Sequence, residues 1–140
     1  MAKIEQVRRG QIHMAYLDPA FAREIGGYKP RPVMILSIND LHRNTGVVTV
    51  VPGTSTASAY RNIVRIEPSP QNGLSAETYF LCHQIRSIDH ARLMPLAGTG
   101  NRFAEVSRTE LEAVEDAMMF SLGLFGFRDI EELRRMLRSK

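Results

Sequence analysis

This 140-residue chain holds a single cysteine, Cys82, and no tryptophan. One cysteine cannot close an internal disulfide, so a stapled secreted scaffold is excluded and a reducing cytoplasm is the expected compartment. Cys82 ends an apolar run and is expected to be a buried, inert thiol. The spacings of metal and nucleotide sites are missing too: there is no Cys-x-x-Cys pair, no His-Glu-x-x-His and no Gly-rich loop ending in lysine. A metalloenzyme or NTPase is therefore not expected, nor is any metal or cofactor. The longest apolar runs, such as Val47-Val48-Thr49-Val50-Val51, fall far short of the roughly 20 residues that cross a bilayer. The first ten residues lack the apolar segment and small-residue cleavage site of a secretory signal, so no membrane association is expected.

What is present is ordinary in bulk. Eighteen basic against fifteen acidic side chains give a formal +3, a mild attraction for phosphate that does not by itself imply nucleic-acid binding. The length suits one domain with one contiguous core.

Short apolar runs separated by turn residues fill residues 11–88. Residues 11–17 read as a first strand, closed by Asp18-Pro19. Residues 21–29, with Gly26-Gly27, form an exposed loop ending at Pro30-Arg31-Pro32. Residues 33–36 and 47–51 read as buried strands that pair, with the polar stretch from Asn39-Asp40 to Asn44-Thr45-Gly46 as the turn between them. Pro52-Gly53 is expected to break the second of these and open a polar loop at Thr54-Ser55-Thr56-Ala57-Ser58. Further strands fall at 62–66 and 78–82, with 84–88 continuing or following. Short strands at this spacing favour an antiparallel sheet curled into a small barrel over a parallel α/β layout.

The helical part begins at Ser107-Arg108-Thr109-Glu110, where serine and glutamate three apart can cap each other's backbone amides. Leu111, Val114, Met118 and Leu122 then draw an apolar stripe that must be buried, and Gly123 to Gly126 end the helix. Asp129-Ile130-Glu131-Glu132 repeats the capping pattern before a short second helix, with Arg134, Arg135 and Arg138 at its cation-favouring end. Residues 1–127 are expected to form the main domain and 128–140 a helical extension.

Few residues are placed to carry chemistry. Arg31 is the best cation: its guanidinium grips two phosphate oxygens in a fixed fork, and the flanking prolines restrain its backbone. Taken alone, a solvated loop arginine is the ordinary reading. Thr54 and Ser55 offer hydroxyls at the end of a strand, although after Pro-Gly such residues commonly bond their own backbone. Gln84 and Arg86, two apart, are expected to share one strand face with His83 and Ile85 on the other, and Arg86 to pair with Asp89. His13, His42 and His90 read as ordinary surface or satisfied core residues.

The order of these features resembles the MazF/PemK/Kid toxins over roughly residues 8–127. Arg9-Gly10-Gln11-Ile12 and Leu17-Asp18-Pro19 are similar to the family's opening. Gly26-Gly27-Tyr28-Lys29-Pro30-Arg31-Pro32-Val33 resembles its Gly-x-Arg-Pro-Val phrase with two extra residues ahead of the arginine. Val51-Pro52-Gly53-Thr54-Ser55, His83-Gln84-Ile85-Arg86-Ser87-Ile88-Asp89 and Phe120-Ser121-Leu122-Gly123-Leu124 follow in the family's order. The resemblance implies a mainly β fold with α elements (α+β): a small antiparallel SH3-like barrel with a C-terminal helix, as in MazF and CcdB. It further implies a homodimer, a cognate antitoxin protein as partner, and metal-independent, sequence-specific cleavage of single-stranded RNA, leaving 2′,3′-cyclic phosphate ends. By the same resemblance Arg31 stabilises the transition state and Thr54 assists it, with Ser55, Gln84 and Arg86 against substrate. His83 stands where relatives carry Asp or Glu, which leaves it as proton carrier, substrate contact or structural residue. The competing readings are a CcdB-like toxin that binds DNA gyrase without catalysis, and a barrel that only binds RNA, for which few aromatics leave few stacking platforms.

Overall fold

The computed structural model describes residues 3–18, 24–27, 29–96, 104–124 and 127–138. Pro19, residues 21–23, Tyr28 and Gly126, which the sequence placed in loops or helix ends, lie outside the described residues. Eight antiparallel strands form one curled sheet: β1 (Gln11–Ala15), β2 (Arg31–Ile35), β3 (Val47–Thr54), β4 (Ile63–Ile66), β5 (Thr78–Leu81), β6 (Arg86–Asp89), β7 (Leu93–Met94) and β8 (Ala104–Glu105). Their order is β4-β5-β3-β2-β1-β7, with β6 added on β3 and β8 on β1. This is the mainly β barrel with few helices expected from the sequence.

The central strands read as unbroken apolar runs because both their faces are covered. Ile12, Met34, Leu36 and Val51 point to a core closed by Val114 and Ala117 of helix α2 (Arg108–Leu122). Ala15, Val33, Ile35, Val48 and Val50 point the other way, onto Val7, Ile88 and Leu93. Cys82 is fully buried in the first core, and burial pushes its thiol up to about 12.

Three expectations are corrected. The polar stretch between β2 and β3 is a helix, α1 (Asn39–Thr45), not a turn. Its formation is tertiary: His42 is fully buried, its Nε2 donating to the Val7 carbonyl at 2.8 Å and its Nδ1 accepting from Ser37 Oγ at 3.1 Å. Pro52-Gly53 does not end β3. The strand runs through it while changing neighbours, pairing with β6 up to Val50 and with β5 from Gly53, so the proline falls between the two ladders. Finally, the last helix, α3 (Phe127–Arg138), starts two residues ahead of Asp129, the expected start.

The expected cap at Ser107 is present in full: Ser107 Oγ accepts from the Glu110 amide at 3.1 Å, and Glu110 accepts from the Ser107 amide at 2.8 Å. Gly123 ends α2 at φ 67°, a left-handed conformation that glycine adopts without a Cβ clash. Leu122, at the end of the apolar stripe, is exposed, as are Phe120 and Leu124.

Candidate active site

The antiparallel register brings the polar candidates to one end of the barrel. Arg31 opens β2 opposite Ala15, Thr54 closes β3 opposite Tyr79, and the loop of Ser55 follows directly. Between them lies a cavity of about 200 Å³ lined by Lys29, Arg31, Gly53, Thr54, Ser55 and Glu77, with apolar residues such as Met14, Leu74 and Leu96 also in its lining.

Gly53 makes this close approach feasible. A Cβ placed there would meet the Thr78 methyl at 2.6 Å and the Phe80 ring at 3.2 Å, so glycine lets β3 pair with β5 here without displacing these side chains.

The Arg31 guanidinium donates through Nε and Nη2 to the Gly26 carbonyl, at 3.3 and 3.1 Å. The loop carrying that carbonyl is itself fixed, because the neighbouring Ile25 amide donates to Gln84 Oε1 at 2.6 Å. Gln84 thus reaches Arg31 through two residues of backbone, a link that no spacing in the sequence announces. Thr54 Oγ1 accepts from the Thr56 amide at 3.2 Å, the self-bonding expected of such a residue, and its own hydroxyl proton is left for donation.

Two cavity residues were not singled out from the sequence. Lys29 adds a second cation at the rim. Glu77 is the only carboxylate lining the cavity among the described residues. Its Oε1 is oriented by Arg65 Nε at 2.8 Å and by the Tyr79 hydroxyl at 3.0 Å. The signal was faint: Glu77 directly precedes a strand whose pairing with Thr54 only the fold reveals.

His83 and Gln84 do not lie on a strand. Residues 82–83 form a turn after β5, and only Arg86 reaches β6, opposite Val50. His83 is exposed and does not line the cavity; its Nδ1 lies 2.5 Å from the Asn62 side-chain amide nitrogen and its Nε2 3.4 Å from that of Gln84. Arg86 and Asp89 do not pair, since residues an odd number apart on a strand face opposite ways. Asp89 instead accepts from the Ala91 amide at 2.9 Å and approaches His90 at 3.4 Å. No group of three or more His, Cys, Asp or Glu among the described residues could hold a metal ion.

The family model described as "PemK-like, MazF-like toxin of type II toxin-antitoxin system" matches residues 8–122. The chain belongs to that family. A curated relative, the probable endoribonuclease MazF of Mycolicibacterium smegmatis, is 32% identical over 121 residues, covering 86% of this chain and all of the relative. Among solved structures, MazF of Deinococcus radiodurans matches with TM-score 0.67 at 25% identity, over 84% of this chain and 96% of that one. A MazE–MazF structure from the same organism matches with TM-score 0.62 at 25% identity, over the same shares. The order of phrases noted in the sequence, from Arg9-Gly10 to Ser121-Leu122, thus marks a MazF-like toxin, and helix α3 lies beyond the matched residues.

Proposed function

We propose that this toxin is an endoribonuclease that cuts single-stranded RNA by attack of a ribose 2′-hydroxyl on the adjacent phosphate. The observation that carries the reading is the meeting of Arg31, Thr54 and Ser55 on one cavity. The attacking oxygen forms a bond to phosphorus as the bond to the 5′-oxygen breaks, and that oxygen takes a proton from water, giving a 2′,3′-cyclic phosphate and a 5′-hydroxyl. Negative charge grows on the non-bridging oxygens, and the Arg31 fork, with Lys29 beside it, opposes that charge where it develops. Thr54 donates its hydroxyl proton to one of those oxygens, and Ser55 holds the strand. Proton removal from the 2′-hydroxyl is assigned to Glu77, because His83 stands outside the cavity lining. Gln84 acts from behind, fixing the loop against which Arg31 rests.

The solved MazE–MazF relative supports a cognate antitoxin as partner, and the resemblance to this family supports a homodimer. Residues 1–127 act as the toxin domain, with 128–140 as a C-terminal extension that carries most of α3. No helix among the described residues is long and apolar enough to cross a membrane, and we place the toxin in the cytoplasm with its RNA.

Incubating the protein with a long single-stranded RNA in EDTA, alongside Arg31→Ala, tests this. Discrete cuts bearing cyclic phosphate are expected, reduced at least a hundredfold in the variant. Intact RNA from folded wild-type protein would favour the gyrase-binding reading.

A further inference from the structure

The reaction proposed above gives no part to a second cavity of about 580 Å³, lined by Tyr16, Asp18, Gly27, Arg92 and Met94 among others. Its volume falls within the roughly 300–1,000 Å³ of small-molecule sites. The two cavities are lined by adjoining residues. Met14 borders the first and Met94 the second, and these two are register partners on β1 and β7. Gly26 holds the Arg31 guanidinium, and Gly27, the next residue, borders the second cavity. Tyr16 directly follows Ala15, the partner of Arg31 across the sheet.

The chemistry of the lining indicates which part of a nucleotide it suits. Tyr16 leaves 51% of its surface exposed at the lining of this cavity, which opens its ring to a ligand. Arg92 Nη1 donates to Asp18 Oδ1 at 3.2 Å, which engages one of the five guanidinium donors and balances its charge. A balanced pair has little pull on phosphate. It does present donors and acceptors side by side, which suit the edge of a base, next to a ring that suits its face.

We infer that this cavity is a base-binding subsite, in which a nucleobase adjoining the cleaved phosphate stacks on Tyr16 and hydrogen-bonds to the Arg92–Asp18 pair. The inference rests on the ribonuclease reading for the position of the phosphate. It makes Tyr16 and Arg92 determinants of which sequence is cut.

The test uses short 2′-O-methyl RNA strands of varied sequence, which bind but cannot supply the attacking hydroxyl, with affinity read by fluorescence anisotropy. The same sequences, unmodified, are mapped for cuts. Tyr16→Ala is expected to weaken binding about tenfold, as loss of one base–aromatic stack does, and Tyr16→Phe to restore it. Arg92→Gln is expected to relax base preference at one position beside the cut. Equal affinity of wild type and Tyr16→Ala, with unchanged cut preference, overturns the subsite while the ribonuclease stands. Weakened binding by Tyr16→Ala in a protein that cuts nothing keeps the subsite and removes the catalysis. A wild type that neither binds nor cuts overturns both.

Discussion

His13 sits at the centre of β1 with none of its surface exposed, its Nε2 2.9 Å from Gln11 Oε1. Burial disfavours the imidazolium and lowers its pKa from 6.5 to about 4. The folded state therefore binds fewer protons than the unfolded chain between these two values, and stability falls as the pH drops through that window, levelling off below 4. With about 1.4 kcal/mol per unit, the full effect is about 3 kcal/mol, and about 2 kcal/mol of it is lost between pH 7 and pH 5. The perturbation is His13→Gln, whose amide nitrogen can replace Nε2 towards Gln11 but does not titrate. Urea unfolding followed by circular dichroism at pH 7, 6 and 5, at one protein concentration, gives the stability of each protein. Whatever the variant costs at pH 7, its loss between pH 7 and 5 should be about 2 kcal/mol smaller than that of wild type. The other histidines and the carboxylates are common to both and cancel in the difference. Parallel pH profiles would refute the claim that a buried neutral His13 underlies this acid sensitivity.

Gln84→Ala should release the Ile25 amide and let Arg31 drift, lowering kcat roughly tenfold with a smaller change in KM, whereas Gln84→Glu, which keeps an acceptor oxygen, should recover most of the rate in a steady-state RNA cleavage assay. Gly53→Ala should cost about 1–3 kcal/mol in chemical denaturation, because the new methyl must displace Thr78 and Phe80. Cys82 should react with a disulfide reagent only on the timescale of unfolding at neutral pH, since the thiolate is the reactive form and burial holds it back; fast labelling of native protein would contradict its placement.

The parts of the fold legible in the sequence were those fixed by local pattern. Alternating and continuous apolar runs marked the strands, and the Ser107–Glu110 spacing marked the start of α2. Helix α1 was hidden because its seven residues are rich in Asn, Asp and Thr, poor helix formers whose order comes from His42 reaching Val7 and Ser37. Continuation of β3 through Pro52 was hidden for a similar reason: only the sheet shows that its neighbours change there. Within the site, Arg31 and Thr54 stood out through restraint and position. Glu77 and the Gln84–Ile25 link did not, because both depend on residues that approach only after long-range pairing.

In the phosphate capture proposed above, the hold of Gly26 on Arg31 makes binding an exchange rather than an addition. In the resting protein a peptide oxygen occupies the fork, so the guanidinium is already stripped of part of its water and already aimed. An arriving phosphate displaces a neutral acceptor with a charged one, and its advantage is the difference between the two, charge-assisted hydrogen bonds being roughly twice as strong as neutral ones. A monatomic anion such as chloride, which offers no second oxygen to the fork, then competes poorly with an occupant that never diffuses away. The carbonyl works as a placeholder, filtering for ligands that can match both prongs of the fork at once.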